Sequence, residues 1–310
     1  MKKSILIFFL GMITGLSFAQ DAQFSQFYAA PLYLNPAYAG ADSSARLDFN
    51  FRNEFPEFGG QYTTYDLEYS QFVNALHGGF GVMAWKDIAG SGTYSTTNFS
   101  AIYSFQQHIY KEFNIQIGIQ GAYMQENLDW SKLTFGDQLN PRYGYIAQEV
   151  APVGESSFFD LTAGILGFTN EFYGGISVAH ITQPNAGFIE NTEPLPIKFN
   201  SNFGAMIPLD NELNISPNII YIKQQNFYQI DLGLYVQRSY LVGGLWYRAD
   251  QSLIATLGFQ KWGLMVGYSV DLSLLKSNPK VDVAHEISLG YRFHSKAKNE
   301  GFHSINGPSF

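Results

Sequence analysis

The run EFNIQIGIQGAYMQ (residues 112–125) has the clearest repeating pattern in this chain. Apolar side chains alternate with polar or small ones, namely Phe113, Ile115, Ile117, Ile119 and Tyr123 against Asn114, Gln116, Gly118 and Gln120. A period of two residues predicts a β-strand, because successive strand side chains point to opposite faces. A strand of this length with one fully apolar face is hard to place in a soluble sandwich and is typical of a membrane-spanning strand.

The same alternation recurs along the chain. In residues 45–55 Leu47, Phe49 and Phe51 alternate with charged or amide side chains. In residues 61–73 Asp66 and Glu68 fall on the polar face. We predict fourteen strands, near residues 45–55, 61–73, 77–86, 93–106, 112–127, 157–168, 171–182, 196–207, 212–223, 226–237, 239–248, 251–260, 262–274 and 283–293. An even number is the rule for bacterial single-chain barrels, so the sequence predicts an all-β antiparallel transmembrane barrel over residues 45–293.

The composition supports this prediction. Charged residues make up 14% of the chain, well below the usual fraction of about 25%, whereas aromatic residues make up 16%. Beyond the N-terminal region no apolar run of about 18 residues occurs, so the sequence offers no transmembrane helix. The chain has no cysteine, which excludes disulfides and thiolate metal sites. Four tryptophans, Trp85, Trp130, Trp246 and Trp262, fall near predicted strand ends or in a loop and predict an interfacial aromatic girdle.

Residues 1–19 are predicted to be a cleaved signal peptide. Lys2 and Lys3 precede a short apolar stretch, and Ser17 and Ala19 form a small-residue cleavage signal before Gln20. An uncleaved anchor is the alternative, although the stretch is short for a spanning helix. The formal net charge of −8 becomes −10 without the two lysines, and with no basic patch the chain is not expected to bind nucleic acid. We therefore expect an integral outer-membrane protein that contacts outer-membrane lipid.

Three polar stretches fall outside the strands. The longest, residues 128–156, is predicted to be a large extracellular loop, and residues 182–196 are a second candidate. Residues 294–310 follow the last strand and are predicted to form a periplasmic tail.

No catalytic, cofactor-binding or metal-binding constellation is found in the sequence. The six histidines lack metal-ligand spacing, and no nucleophile elbow occurs, so we expect a protein that is not an enzyme and has no cofactor. Inward carboxylates, namely Asp48, Asp66, Glu68, Asp160 and Asp231, are expected in any water-facing lumen. HGGFG (77–81) lacks the lysine of a phosphate loop and predicts a bend in a strand or a close approach of an inner element.

One segment resembles a known family. FSQFYAAPLYLNPAYAG (24–40) resembles the N-terminal signature of the PorP/SprF family, outer-membrane proteins of Bacteroidetes associated with the type IX secretion system. Shorter matches are FGDQL (135–139), which contains Phe135, Gly136, Asp137 and Gln138; HITQPN (180–185); and LGYRF (289–293), which contains Leu289, Gly290, Tyr291 and Phe293. The resemblance implies an outer-membrane barrel that works with other type IX components and supports secretion or surface attachment of cargo proteins such as gliding adhesins.

Asn35, Pro36 and Ala37 also resemble a motif in the N-terminal hatch of FadL-type channels for hydrophobic compounds. Irregular backbone is tolerated at membrane depth only where protein or water satisfies it. We therefore predict that residues 20–44 form a plug in the lumen, with Asn35 bonded to inward side chains, Pro36 fixing a turn, and Ala37 and Gly40 allowing close approach to the wall. Tyr38 belongs to the same motif. A disordered periplasmic lead-in is the alternative.

Two functions follow from these predictions. The first is a plugged barrel whose extracellular loops hold or receive a cargo protein. The second is a FadL-like channel for small hydrophobic compounds, which needs an apolar pocket leading to an opening in the wall. The inward residues are polar, which favours the first. An outer-membrane hydrolase is a third class, disfavoured by the missing triad.

Overall fold

The structure, a computed structural model, describes residues 21–42, 44–56, 62–134, 153–188, 193–274, 283–293 and Ile305. Its strands are β1 Arg46–Glu54, β2 Tyr62–Val73, β3 Gly78–Ala89, β4 Tyr94–Tyr110, β5 Phe113–Leu128, β6 Glu155–Phe168, β7 Phe172–Ala179, β8 Lys198–Ala205, β9 Ile207–Pro208, β10 Leu213–Gln224, β11 Phe227–Arg238, β12 Leu241–Arg248, β13 Ser252–Lys261, β14 Leu264–Ser273 and β15 Val283–Arg292. One helical turn, Pro31–Leu34, and the 3-10 turns Pro36–Tyr38, Asn74–Leu76, Gly90–Gly92 and Trp130–Lys132 complete the elements. No helix among the described residues is long and apolar enough to cross a membrane.

The strands form a closed antiparallel barrel. Except at β8 and β9, each strand pairs with its neighbours in sequence, and β1 pairs with β15 from Arg46↔Arg292 to Glu54↔Ala284, which closes the ring. The two residues of β9 follow β8 after a break at Met206, and both strands pair with β10. The wall therefore has fourteen strand positions, as the sequence predicted, and the β8–β9 break is a detail that the sequence did not predict.

The two faces of the wall differ as the alternation predicted. On β5, Ile117 is 52% exposed on the outer surface, while its neighbour Gln116 faces inward and is fully buried. The inward carboxylates predicted from the sequence are all buried, including Asp66, Glu68 and Asp231. The core of the molecule is therefore the lumen, and apolar side chains cover the outer surface of the wall.

The tryptophan prediction was wrong for two residues. Trp85 on β3 and Trp246 on β12 point into the barrel and are 8% and 1% exposed, whereas Trp262, in the turn between β13 and β14, is exposed. Trp246 lies flat over Gly233 of β11, where any side chain would overlap its ring. Both buried indoles pack against aromatic side chains near the N-terminus, which outweighs the interfacial preference.

The two ends of the barrel have different connections. The long ones, residues 129–154, 180–197 and 274–282, are all at one end, whereas connections at the other end, such as 111–112 and 239–240, have only two to four residues. Outer-membrane barrels place long loops outside and short turns in the periplasm. The end with the long connections is therefore called the extracellular end, and the opposite end the periplasmic end.

Candidate functional site

The N-terminal segment, defined here as residues 21–42, lies inside the ring of strands. Its residues from Phe24 to Ala41, apart from Tyr33, are buried. Asp21 lies at the extracellular end beside His180 and Lys198, and the segment ends at the periplasmic end, just before β1 begins at Arg46. The chain therefore enters the first strand after running the length of the lumen from outside to inside.

Two glutamates of the wall each bind two consecutive backbone N–H groups of this segment. Glu286 of β15 accepts from Ser25 N at 2.6 Å and Gln26 N at 3.0 Å. Glu68 of β2 accepts from Leu32 N at 2.9 Å and Tyr33 N at 2.8 Å, which satisfies donors at the start of the helical turn. Buried backbone donors need partners, and the two oxygens of one carboxyl group satisfy two neighbouring donors at once.

Charged side chains of β1, β12 and β14 complete this part of the wall. Arg52 lies 3.4 Å from both Glu286 and Asp271, and its guanidinium also bonds the Ser25 hydroxyl. Arg248 lies 2.9 Å from Asp271. Glu286 and Asp271 are thereby paired with cations, as burial of charge requires.

Asn35 is inserted between β6 and β7. Its Nδ2 donates to the backbone carbonyls of Ile165 at 3.1 Å and Ile176 at 3.2 Å, and its Oδ1 accepts from Ala37 N at 2.9 Å. The partners are backbone carbonyls and not the inward side chains that the sequence predicted. The amide fits because Gly164 and Gly175 have no Cβ, and a Cβ at Gly175 would lie 2.8 Å from Asn35 Nδ2.

The turn Pro36–Tyr38 packs against glycines of the wall. A Cβ at Gly118 of β5 would lie 2.6 Å from Pro36 O and still nearer the Ala37 nitrogen. Gly40 has φ +65°, a left-handed conformation that glycine adopts readily, and a Cβ there would lie 2.6 Å from the Cα of Gly79. Gly79 belongs to the HGGFG run, so the predicted close approach of an inner element is found there.

Polar side chains of the wall satisfy the remaining carbonyls of this turn. Ala39 O accepts from Ser104 Oγ at 2.6 Å and Gln116 Nε2 at 2.7 Å. Leu34 O accepts from Ser177 Oγ at 2.9 Å, and Tyr38 OH accepts from Asn202 Nδ2 at 2.7 Å. Polar wall residues therefore replace water around an irregular backbone.

The wall at β12 meets the segment mainly through aromatic rings. Trp246 packs on Phe27 with ring centroids 4.8 Å apart and on Tyr28 at 6.5 Å. The Tyr28 hydroxyl donates to Asn218 of β10 at 2.9 Å. Three cavities between the segment and the wall measure about 30, 40 and 40 Å³. Such volumes hold one or a few waters.

A charged cluster holds the extracellular end of the segment. Asp21 Oδ2 lies 3.0 Å from His180 Nε2 and 3.1 Å from Lys198 Nζ, and His180 Nδ1 lies 2.9 Å from Asp160. Burial opposes protonation of His180, but the carboxylates of Asp21 and Asp160 raise the pKa of His180 to about 9. Burial would raise the pKa of Asp21, but Lys198 and His180 lower this pKa far below its usual range. At neutral pH both groups are charged.

This cluster predicts a stability that falls at alkaline pH. The pKa of His180 is higher in the folded protein than its ordinary 6.5, so its contribution is complete below pH 6.5 and is lost as the pH rises through about 9. The difference corresponds to about 3 kcal/mol. We expect the thermal unfolding temperature in detergent to fall between pH 7 and 10 in the wild type and to change much less in His180→Gln. Identical pH profiles would contradict this account.

The predicted site residues fall into separate groups. Asn35, Pro36, Ala37, Tyr38 and Gly40 lie together against β3 and β5–β8. Of the C-terminal signature, Leu289, Tyr291 and Phe293 face outward on or just after β15, while Gly290 faces inward and a Cβ there would lie 2.7 Å from Asp48. The loop motif Phe135, Gly136, Asp137 and Gln138 lies outside the described residues, as do residues 1–19 and all of the tail 294–310 except Ile305.

Several residues that hold the segment were not identified from the sequence. Glu286 was not among the inward carboxylates predicted from the sequence, and the partners of Asp21 are 159 to 203 positions away in the chain. The HITQPN match did include His180, which was the available signal. Among the described residues, no group of three or more His, Asp or Glu side chains has an arrangement that would hold a metal ion.

Solved structures with a similar fold include hydrocarbon transporters. The toluene transporter TbuX of Ralstonia pickettii superposes with a TM-score of 0.52 and 11% identity over 86% of this chain and 94% of its own. The monoaromatic hydrocarbon channel CymD gives 0.51 and 12% over 90% and 96%, and the Pseudomonas putida toluene transporter TodX gives 0.50 and 10% over 89% and 98%. At these identities the likeness concerns the fold alone.

Sequence comparison gives a family and no individual relative. The family model described as type IX secretion system membrane protein PorP/SprF matches residues 16–291. No curated protein matches the sequence.

Proposed function

Because the chain belongs to the PorP/SprF family of type IX secretion system membrane proteins, we propose that it is a non-enzymatic component supporting secretion or surface anchoring of particular cargo proteins, such as gliding adhesins. The family and the barrel fold fit an outer-membrane location, and the family implies that it interacts with other type IX components. The cargo role, contact with outer-membrane lipid and cleavage after Ala19 belong to the proposal.

The observation that carries this proposal is the bonding of the N-terminal segment around the lumen. Its described bonds reach strands on several sides of the ring, including β1, β2, β4–β8, β10, β14 and β15. A segment held in this way acts as a plug in the resting barrel. The surfaces left for a protein partner are then the two ends and the outer wall.

The extracellular loops are the partner surface that we propose. The stem of the 129–154 connection is fixed to the barrel by Leu128 N donating to Gly154 O at 2.7 Å and Asp129 N donating to Thr93 O at 2.8 Å. Lys132 Nζ donates to Ser91 O at 3.0 Å across to the neighbouring connection. A stable protein interface needs about 800 Å² from each partner, and the proposal assigns this area to the two longest connections, residues 129–154 and 180–197.

The channel alternative has less support. A transporter for hydrophobic compounds needs an apolar pocket inside the barrel. An apolar depression of about 690 Å³ is instead lined mainly by outward-facing residues of β2–β6 such as Leu67, Val82 and Phe99. The cavities beside the segment are far smaller.

Co-purification tests the proposal. A tagged barrel extracted in mild detergent from its native host is expected to carry a type IX component and a large surface protein, and deleting its gene should abolish surface display of that protein while other type IX cargo is still exported. The matched control is a tagged barrel with the described ends of the 129–154 connection joined directly, which should lose the surface protein and keep the component. Recovery of a lipid-like molecule without any secretion component would favour the channel.

A further inference from the structure

The carboxylate of Asp21 occupies a site built by three buried donors of the wall. His180 Nε2 lies 3.0 Å and Lys198 Nζ 3.1 Å from Oδ2, and Gln224 Nε2 donates to Oδ1 at 3.1 Å. The donors come from the end of β7, from β8 and from β10, and each residue is at most 6% exposed. Two cationic groups and an amide around both oxygens form a specific carboxylate site.

The site is largely held by the barrel itself and not by the segment. His180 is oriented by Asp160 of β6, whose other oxygen accepts from Thr182 Oγ1 at 3.2 Å. Lys198 and Gln224 are fixed by the pairing of β8 with β10, in which they are opposite each other. Since these supports do not involve Asp21, we expect the donors to keep their arrangement when Asp21 leaves.

Asp21 is positioned as a ligand that can leave. It is the outermost described residue of the segment, and the next strong anchors are at Ser25 and Gln26, deeper in the lumen. His180 and Thr182 begin the 180–197 connection at the extracellular end. A cavity of about 40 Å³ lies beside the cluster and is lined by Asp160, His180 and Lys198 among others.

We propose that this site is a receptor for the carboxylate of an incoming polypeptide and that Asp21 occupies it in the resting barrel. The bound group is either an acidic side chain or a C-terminal carboxylate, and it replaces Asp21 on the same three donors. The identification of the ligand as a polypeptide rests on the proposed function. The carboxylate chemistry rests on the site.

Competition with a tethered group sets the expected size of the effect. A group on a short tether acts at an effective concentration of the order of millimolar or above. A free carboxylate must displace Asp21 in the wild type but meets an open site in Asp21→Ala. The variant should therefore bind a carboxylate at least tenfold more tightly than the wild type.

The test uses purified full-length barrel in detergent with three probes: acetyl-diglycine, its C-terminal amide, and acetyl-aspartate amide. Titration followed by NMR should show at least tenfold tighter binding of a carboxylate probe to Asp21→Ala than to wild type. No binding of the C-terminal amide is expected, and adding Lys198→Gln should abolish the gain. The stronger of the two carboxylate probes identifies a C-terminal or a side-chain ligand.

Equal binding of the carboxylate and amide probes, or equal binding by wild type and Asp21→Ala, would overturn the proposal that this site is a carboxylate receptor. Asp21→Asn keeps the shape of the side chain and loses its charge, so it serves as a second variant in case Asp21→Ala misfolds. It should also bind the carboxylate probe more tightly than the wild type, by a smaller factor. Both variants must show heat-modifiable migration on gels. Because no secretion step is involved, failure here leaves the co-purification result intact, and failure of co-purification leaves this result intact.

Discussion

Gly118→Leu is expected to expel the turn Pro36–Tyr38 from the lumen while the barrel itself still forms. The new Cβ would lie 2.6 Å from Pro36 O and closer still to the Ala37 nitrogen, and both are backbone atoms that cannot rotate away. The strand itself can still form, because leucine is tolerated in a strand. Once the turn has left, the lumen of the barrel is polar and filled with water. Ion conductance in planar bilayers should rise from a closed baseline to a stable open level.

The matched control lies three residues away on the same strand. Gly121 faces outward, and a Cβ there meets no atom within 4 Å. Gly121→Leu should therefore fold, migrate and conduct like the wild type. If Gly118→Leu remains as closed as Gly121→Leu, residues 36–38 do not occupy the position described here.

Asn35→Asp is expected to release the same part of the segment by a different route. Aspartate keeps the oxygen that accepts from Ala37 N but loses both donors to Ile165 O and Ile176 O, and it places a negative charge against two carbonyl oxygens. Leaving buried groups in this state costs about 3 kcal/mol or more. Cleavage by chymotrypsin between residues 33 and 40 should therefore become about a hundredfold faster than in the wild type.

The control for this variant is Asn170→Asp. Asn170 lies in the exposed turn between β6 and β7, the same two strands that hold Asn35, so the change adds the same charge without entering the lumen. Its cleavage rate should match that of the wild type. An Asn35→Asp rate equal to that of Asn170→Asp would show that the Asn35 amide does not hold the segment.

The sequence predicts the wall of this barrel well because the wall follows local chemistry. Alternation on β5, from Phe113 to Tyr123, marks which side faces outward, and each neighbouring strand repeats the same two-residue period. The segment motif was also identified, because Asn35-Pro36 breaks regular structure in an otherwise apolar stretch.

The contacts inside the lumen could not be predicted in the same way. Glu286 meets Ser25 across 261 positions of the chain, and no local pattern distinguishes it from other inward carboxylates. Asn35 bonds to backbone carbonyls, and because every residue has one, the sequence does not show which of them accept. The pocket for its amide exists only because Gly164 and Gly175 come together on paired strands. A tryptophan near a predicted strand end is typical of a membrane interface, and only the packing of Trp246 on Phe27 explains its burial.

The wild-type arm of the chymotrypsin digestion tests the central claim most directly, that the N-terminal segment fills the lumen of the folded barrel. Phe24, Phe27, Tyr28 and Tyr38 are all buried cleavage sites in the folded protein. We predict that they stay intact in heat-modifiable barrel at neutral pH for as long as the strands do, and that boiling makes them cleavable at once. Rapid cleavage between Tyr33 and Gly40 in the folded barrel would contradict the account.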